Sequence, residues 1–410
     1  MKPGTSRSLQ LDVLRGIAVL LVFGRHLELP APDGLAGVAA HVWFRIGWLG
    51  VDLFFVLSGF LIGGLLLSEH FKHGRIDVGR FLIRRGLKIY PAYLVFIGYL
   101  VCMPLLKAAL RGDDPRPVLS EQWQLYWPNL LFLQNYVGTN PAGHTWTLAV
   151  EEHFYLLLPW ALVALTAWGR MRALFQVCLV IAVVVLALRF WSVWTENRYA
   201  ETMSATHLRI DALMFGVGLR AVAQYLPERF AMAGRWRALL VVTGLLLWSP
   251  NLFIDPDTAF IRTVGLTATY LGSAAFLVAA YHTHAAHFRG SWGRFAAAVA
   301  GLLGWVGVYS YAIYLWHVTA MGILEREVGG RLVAAGDVPS GLSWFVAAGM
   351  VCTGAVLIGV AASKLVEWPV IRLRDRWFPS RSGTLPAGTN APSALGDPVP
   401  NGLGMAPRPE

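Results

Sequence analysis

Long apolar stretches separated by short polar connections run along most of the chain. A stretch of about 20 apolar residues has the length of a helix that spans a bilayer. The stretches lie near 9–27, 44–67, 81–106, 147–168, 172–192, 209–225, 237–254, 260–281, 305–324 and 343–366. This pattern predicts an all-α integral membrane protein with about ten transmembrane helices.

The pattern stops near residue 378. Residues 379–410 are rich in Pro, Gly, Ser and Ala and offer little apolar surface to bury, which predicts a disordered cytoplasmic tail. We therefore divide the chain into a membrane unit, 1–378, which must hold any activity, and this tail. The first apolar stretch carries Arg15 and has no small-residue cleavage site after it, so we expect it to be retained rather than removed as a signal peptide.

Composition agrees with a membrane protein, because 14% of the residues are charged against about 25% in soluble proteins. The net charge of +10 follows the predicted topology. With both termini cytoplasmic, about 20 Lys and Arg residues lie inside and about 7 outside, as the positive-inside rule requires. Membrane lipids with anionic headgroups are thus the expected generic partner, and nucleic acid is not expected. The three cysteines all lie in apolar stretches and predict no metal site.

The first apolar stretch contains two ionisable residues, Arg15 and His26. Such groups are costly in hydrocarbon and mark function by default. Eleven positions apart, they lie on one helix face within about 20° and are separated by about 16 Å. Asp52, near the start of the second stretch, is expected at the depth of His26, where a carboxylate would orient the imidazole as a base. Alternatively, Asp52 only begins a helix, where an acid suits the dipole.

A cationic stripe follows in RFLIRRGLKIYPAY, where Arg80, Arg84 and Lys88 recur at intervals of four residues with Arg85 alongside. Guanidinium groups suit bidentate binding of phosphate. We therefore predict that Arg84, Arg85 and Lys88 hold the phosphates of a cytoplasmic donor. The alternative is a membrane anchor of the positive-inside kind.

The fourth stretch opens with WTLAVEEHFYLLLPW, in which Glu151, Glu152 and His153 are consecutive. Three adjacent ionisable residues cannot all face lipid, so at least one must point into the bundle. Glu151 and Tyr155 share a face, whereas Glu152 lies about 100° away. One carboxylate is therefore expected in the site while its neighbour pairs elsewhere.

Two later segments add polar groups. Ser310, Tyr314 and His317 lie within about 40° of one another on one helix face, which suggests the wall of a wet cavity. Arg209 and Asp211 open the sixth stretch. They either bind an acceptor substrate or form an ion pair, mutual or between helices.

Taken in order, these motifs resemble the membrane acyltransferase-3 family, the bacterial O-acetyltransferases of lipopolysaccharide O-antigen, peptidoglycan, exopolysaccharide and macrolide glycosides. The matching segments are LDVLRGIAVLLVFGRH, GVDLFFVLSGFLI, FLIRRGLKIYPAY, WTLAVEEHFYLLLP, RIDALMFG, YSYAIYLWH and VEWPV. The chain departs from the family pattern at Lys88, where arginine is usual, at Thr147 and Ala149, where serines are common, and at His153, where glutamine is usual.

The resemblance implies an O-acyltransferase of the bacterial inner membrane, with acetyl-CoA or another short acyl-CoA as co-substrate and no permanently bound cofactor. The acceptor would be a hydroxyl of a carbohydrate, whether a surface glycan, a lipid-linked sugar, another glycolipid or a glycoside. His26 would be the general base, oriented by Asp52, Glu151 or Glu152, and Arg15, Ser310 or Tyr314 would stabilise the oxyanion. The expected catalytic residues are His26, Asp52, Arg15, Glu151 and Glu152; the donor-binding residues are Arg84, Arg85, Lys88, Ser310 and Tyr314; and the acceptor-binding residues are Arg209, Asp211 and His317.

Some members of the family carry an extracytoplasmic esterase-like domain that accepts the acyl group, and the tail here is too short for one. We therefore expect the final transfer to occur in the membrane unit or through a partner protein. Two other functions remain open. A secondary transporter with a buried proton relay should show repeat symmetry between its halves, which this sequence does not. A non-catalytic lipid-binding or assembly protein would not need the Arg15 and His26 pair.

Overall fold

The computed structural model describes residues 8–30, 32–137, 141–195, 201–283, 290–334 and 341–381. Over these residues the chain is helical, and no strand occurs among them. The predicted tail, apart from residues 379–381, lies outside the described residues.

We number the helices in chain order. They are α1 (Leu9–His26), α2 (Gly34–Ile46), α3 (Leu49–His73), α4 (Val78–Arg111), α5 (Pro115–Leu130), α6 (Trp146–Ala167), α7 (Leu174–Trp194), α8 (Glu201–Ser204), α9 (Ile210–Tyr225), α10 (Pro227–Ala233), α11 (Arg237–Trp248), α12 (Pro250–Phe253), α13 (Leu266–Tyr281), α14 (Gly290–Val308), α15 (Ser310–Ala334), α16 (Gly341–Ala362) and α17 (Trp368–Trp377). A π-helical turn, Ser363–Glu367, joins α16 to α17.

Within the described ranges, seven helical stretches are long and apolar enough to cross a membrane, or eight if α14 and α15 count as one bent span. The prediction of ten is therefore not confirmed. α1 carries Asp12, Arg15 and Arg25 among its 18 residues, and α9 has 16 residues. Both were predicted as spans because they are largely apolar. α1 differs from the seven stretches because it carries three charged residues, and α9 differs because it is short for a bilayer span.

The ninth predicted span is wrong in shape. It was expected as one helix over 305–324, but the chain bends by 79° between α14 and α15. Both helices are apolar, so the hydrophobic pattern does not indicate where the bend lies. As a result the first turns of α15, with Ser310 and Tyr314, are buried in the bundle.

Glycines allow the central helices to approach one another closely. A Cβ on Gly59 of α3 would lie 1.9 Å from the carbonyl oxygen of Leu213 in α9, and one on Gly307 of α14 would lie 1.8 Å from that of Asp12 in α1. Small residues at such crossings permit close helix packing inside a membrane. They allow α3 to pack against α9 and α14 against α1.

The bundle has two distinct ends. At the basic end, α17 and residues 378–381 pack on the start of α4, where Arg80 and Arg84 lie. At the histidine end, the rings of His26, His144 and His317 meet. α1 runs from one end to the other, so it carries Arg15 and His26 at different depths.

Candidate active site

A cavity of about 170 Å³ lies between the two ends of the bundle. α1, α3, α4, α6, α15 and the start of α17 all contribute side chains to it. Its polar lining consists of Arg15, Ser58, Arg85, Lys88, Thr147, Glu151, Tyr155, Ser310, Tyr311, Tyr314 and Glu367. Six of the residues predicted from sequence meet here: Arg15, Arg85, Lys88, Glu151, Ser310 and Tyr314.

Cations and a carboxylate line this cavity together. The guanidinium carbon of Arg85 lies 5.3 Å from the ring centre of Tyr155. The Tyr155 hydroxyl donates to Glu151 Oε2 at 3.0 Å and lies 2.8 Å from Ser58 Oγ. Buried charges require such partners. Glu151 is thus held in the cavity wall, as the shared face of Glu151 and Tyr155 predicted.

Tyr314 connects the cavity to the histidine end. Its hydroxyl donates to the backbone oxygen of His144 and accepts from Thr147 Oγ1, both at 2.8 Å. Its ring lies 5.3 Å from that of His317. One side chain therefore touches both the cavity and the histidine cluster, although its hydroxyl hydrogen is already engaged.

Three histidines form the cluster at the other side of Tyr314. The ring centres of His26 and His317 are 5.0 Å apart, those of His144 and His317 5.2 Å, and those of His26 and His144 6.5 Å. His144 and His317 are buried, whereas His26 is half-buried. His26 is thus the member of the cluster that a molecule outside the bundle can reach.

The hydrogen bonds of the two buried histidines fix their tautomers. Carbonyl oxygens only accept, so His144 Nε2–H donates to the Leu315 oxygen at 3.1 Å and His317 Nδ1–H donates to the Tyr314 oxygen at 2.5 Å. The remaining nitrogen of a neutral imidazole carries a lone pair. His144 Nδ1 and His317 Nε2 are both buried and without a partner. His26 therefore sits beside two unused hydrogen-bond acceptors.

The carboxylates that were expected to orient His26 have other partners, which corrects the sequence prediction. Both oxygens of Asp52 accept from Arg209 Nη2 at 3.0 Å, and Asp52 is fully buried. Glu151 pairs with Tyr155, and Glu152 accepts from the Tyr90 hydroxyl. A buried guanidinium left without a carboxylate would be strongly destabilising, which explains why Asp52 is drawn to Arg209. In the described part of the chain, no group of three potential ligands could hold a metal ion.

Arg209 and Asp211 belong to a buried ion-pair network between helices, as one of the two sequence alternatives predicted. Arg189 Nη2 lies 2.5 Å from Asp211 Oδ1, and Arg189 Nε donates to the Leu208 oxygen at 2.7 Å. Arg209 and Asp211 have 1% and 0% of their surface exposed, so an acceptor substrate cannot reach them. Arg189 was not predicted from sequence, although it is the one charged residue in the apolar run of α7.

Arg84 does not line the cavity with Arg85 and Lys88, which corrects the predicted donor-binding trio. Its Nη2 lies 3.2 Å from Asp375 Oδ1, and its Nη1 donates to the Phe378 oxygen. Neighbouring positions on a helix point about 100° apart. The stripe is therefore divided, with Arg84 facing the C-terminal segment and Arg85 facing the cavity.

Sequence reasoning gave no site role to His144, Tyr90 or Glu367, although Glu367 lies in the matching segment VEWPV. His144 gave no periodic signal because it precedes α6 in a short 3₁₀ turn. The structure shows that the Tyr90 hydroxyl donates to Glu152 and that Glu367 lines the cavity.

Comparison with known proteins adds to this geometry. The sequence pattern of the Acyltransferase domain family matches residues 8–363. The chain is 27% identical over 324 residues to the peptidoglycan O-acetyltransferase OatA of Listeria monocytogenes, covering 75% of this chain and 48% of that protein. The O-acetyltransferase OatA of Staphylococcus aureus is 26% identical over 318 residues, with 75% and 49% covered. The putative peptidoglycan O-acetyltransferase YrhL of Bacillus subtilis is 27% identical over 341 residues, with 78% and 50% covered. The chain thus spans about half the length of these curated relatives. No solved structure gives a significant match.

Proposed function

Because this chain belongs to the Acyltransferase domain family, we propose that it is a membrane O-acyltransferase that moves an acetyl or other short acyl group from acyl-CoA to a carbohydrate hydroxyl. The family match confirms the resemblance carried by the motifs, and with several long apolar helices it makes the chain a multi-pass membrane protein. The three relatives are named O-acetyltransferases, two of them of peptidoglycan, which supports a glycan acceptor. Family membership favours this function over transport or a purely structural role.

The observation that carries the proposal is a cavity with cations on one wall and, through Tyr314, a histidine cluster on the other. Arg85 and Lys88 suit the phosphates of a nucleotide. The cavity volume of about 170 Å³ is well below the 300–1,000 Å³ of a typical small-molecule pocket. The cavity therefore fits the extended pantetheine arm of the donor and not its nucleotide. The rise of about 16 Å from Arg15 to His26 matches the reach of a pantetheine arm.

His26 is the proposed general base. A nitrogen of its neutral ring takes the proton of the acceptor hydroxyl as that oxygen attacks the thioester carbonyl. The tetrahedral intermediate then expels the thiolate, which takes the proton from the imidazolium and leaves as coenzyme A. Ser310, in the cavity wall, is the proposed donor to the oxyanion. Arg15 lies about 16 Å from His26 along α1, too far from the base for that role. Tyr314 is less suited to this role because its hydroxyl hydrogen is held by the His144 oxygen.

With His26 as base, His317 is its proposed orienting partner in place of a carboxylate. The rings are 5.0 Å apart, and His317 Nε2 is an unpartnered acceptor. An N–H of His26 directed at this acceptor leaves the other nitrogen of His26 free to receive a proton.

We place the protein in the bacterial inner membrane with the basic end in the cytoplasm. Acyl-CoA is a cytoplasmic metabolite, and Lys and Arg are concentrated in the connections of that end. Donor and acceptor then approach from opposite sides and meet near Tyr314.

The decisive experiment replaces His26 by Gln, which keeps polarity and approximate size without a basic nitrogen. Turnover of acetyl-CoA with a glycan acceptor should fall by about 10²–10⁴, while coenzyme A binding stays unchanged. His41→Gln is the matched control, because His41 is exposed on α2 and does not line the cavity. A rate within twofold of wild type in His26→Gln would refute the proposed base.

A further inference from the structure

A second cavity, of about 280 Å³, lies on the flank of the bundle between α4, α6 and the turn after α5. It is lined by Tyr90, Tyr93, Leu94, Leu130, Leu131, Phe132, Glu152, His153 and Leu156. Adjacent residues of α4 and α6 face different cavities: Ile89 and Glu151 line the central cavity, whereas Tyr90 and Glu152 line this one. The two helices thus form a partition, and the flank cavity is a separate site.

An unsatisfied carboxylate oxygen marks the flank cavity. Glu152 has 5% of its surface exposed, and its Oε1 accepts from the Tyr90 hydroxyl. Its Oε2 is buried with no hydrogen-bond partner. Burying a polar atom without a partner is costly. A ligand hydroxyl would supply the missing donor.

Aromatic rings form one wall beside this carboxylate. Phe132 has a φ of 55°, in the left-handed region that bulky residues rarely adopt. Its ring stacks on Tyr93 with centres 4.8 Å apart and lies 5.6 Å from the ring of Tyr90. The strained backbone at Phe132 therefore presents a fixed aromatic surface next to the carboxylate of Glu152.

The rim of the flank cavity is apolar and belongs to membrane-spanning elements. Leu94 of α4 and Leu156 of α6 are 51% and 43% exposed, and both helices are candidate spans. Exposed leucines on such helices face lipid. A ligand that enters here arrives from the bilayer and carries an apolar chain. Among the described lining residues there is no Lys or Arg, and the lining His153 is engaged through Nδ1 with Thr206 Oγ1 at 2.7 Å. A phosphate would therefore find no guanidinium or ammonium partner here.

We propose that the flank cavity binds a neutral, hydroxyl-bearing headgroup carried on an apolar chain, such as a sugar linked to a membrane lipid. Glu152 Oε2 accepts from a headgroup hydroxyl, the rings of Phe132 and Tyr90 pack against the sugar, and the chain lies along Leu94 and Leu156. In its assignment to acyl transfer this inference rests on the proposed function, where the ligand is the acceptor or its acylated product.

The back wall of the flank cavity leads toward the histidine end. The Tyr93 hydroxyl accepts from Asn129 Nδ2 and Gln134 Nε2, both at 3.2 Å. Gln134 Nε2 also donates to the backbone oxygen of Thr145 at 2.9 Å, and Thr145 directly follows His144. One polar network therefore separates the lipid-facing site from the histidine cluster.

Binding is tested in nanodiscs of full-length protein, without acyl donor, using decyl β-glucoside with a diazirine in its chain. Decyl phosphate with the same diazirine is the second probe. We expect saturable photolabelling by the glucoside that maps to α4, α6 or residues 130–132, and weak labelling by the phosphate. Glu152→Gln should reduce the apparent affinity for the glucoside about tenfold. Glu121→Gln, at an exposed position of α5, is the control and should label like wild type.

A second variant guards against a folding effect at Glu152. Leu156→Trp adds bulk at the rim and leaves the carboxylate of Glu152 in place. This variant should abolish saturable labelling by the glucoside. Equal labelling by the two probes, stronger labelling by the phosphate, or labelling unaffected by both variants would overturn the proposal and indicate ordinary lipid contact.

Activity separates this inference from the proposed function. Glu152→Gln should raise the KM for a lipid-linked acceptor, whereas His26→Gln should lower kcat. Specific glucoside binding in a protein without transferase activity would retain the site and remove its role as acceptor site. Transferase activity without specific glucoside binding would retain the proposed function and remove the flank site.

Discussion

At the scale of single residues, the chemistry of the candidate site depends on which group orients His26. A carboxylate beside an imidazole fixes its tautomer and also stabilises the imidazolium. A neutral imidazole such as His317 fixes the tautomer through a lone pair but adds no opposite charge. Since Phe23 stacks on His317 with ring centres 5.7 Å apart, and the Tyr314 oxygen holds its Nδ1–H, the acceptor nitrogen of His317 is itself held in place.

His317→Phe tests this positioning role, because it keeps a ring against Phe23 but removes the acceptor. We expect kcat to fall about tenfold, as for the loss of one positioning hydrogen bond, with donor KM unchanged. In ¹⁵N-histidine-labelled protein, the resonances absent from His26→Gln report His26. They should indicate one tautomer in wild type and a mixture in His317→Phe. One unchanged tautomer in the variant would exclude His317 as the orienting group, whatever the rate.

The same residues show how far sequence reached into the site. Helical periodicity placed Ser310 and Tyr314 together on the wall of a cavity, and both line it. It failed for Asp52 because periodicity defines the face of a helix but not the neighbour that this face meets. The partner of Asp52 is Arg209, 157 positions away in sequence, and no local pattern relates the two.

At the scale of elements, α4 presents its cations on two adjacent faces. Arg80 and Arg84 are engaged by the segment that follows α16, where Arg80 donates to the Pro379 oxygen and Arg84 pairs with Asp375. Arg85 and Lys88 face the cavity. The stripe was predicted to bind phosphates or, alternatively, to anchor the chain at the membrane, and neither alternative includes this division of its faces.

Arg85→Gln and Arg84→Gln therefore form a matched pair on one turn of α4. Arg85→Gln should weaken coenzyme A binding about tenfold, with a loss that shrinks as salt rises, because one charge-assisted contact is removed. Arg84→Gln should change affinity by less than twofold, since its guanidinium is held by Asp375. Calorimetry in nanodiscs at two salt concentrations measures both. An equal loss in the two variants would mean that the phosphates also bind Arg84 and displace the segment that follows α16.

Among the elements themselves, long uniform spans were predictable and bends were not. The predicted stretch 81–106 lies within α4, Val78–Arg111. The break between α14 and α15 was invisible, because the chain is apolar on both sides of Tyr309. Next to the bend, Gly307 packs against the Asp12 oxygen of α1, and such a contact between distant segments leaves no mark in the hydrophobic pattern.

At the scale of the whole molecule, the proposed reaction requires opposite access to the two ends. The cationic wall must meet a cytoplasmic donor, and His26 must meet an acceptor presented from the other side or from the bilayer. The positive-inside bias supports this orientation, while the two cavities lie between the ends and do not depend on it. The assignment of donor and acceptor to the two ends therefore depends on which end of the bundle faces the cytoplasm.

Cysteine labelling tests that orientation at the two ends of α4. Arg75 precedes this helix and Asp113 follows it, and both are exposed. The 34 residues of α4 rise about 51 Å, more than the roughly 30 Å of the hydrocarbon core, so the two positions must lie on opposite sides of the membrane. Cys102, Cys178 and Cys352 are first replaced by Ala, and Arg75→Cys and Asp113→Cys are introduced separately. In intact spheroplasts, a membrane-impermeant maleimide should label the Asp113→Cys protein, and it should label the Arg75→Cys protein only after permeabilisation. The reverse pattern would place Arg85 and Lys88 toward the side without acyl-CoA, and the donor assignment would then have to be abandoned even if His26 proved to be the base.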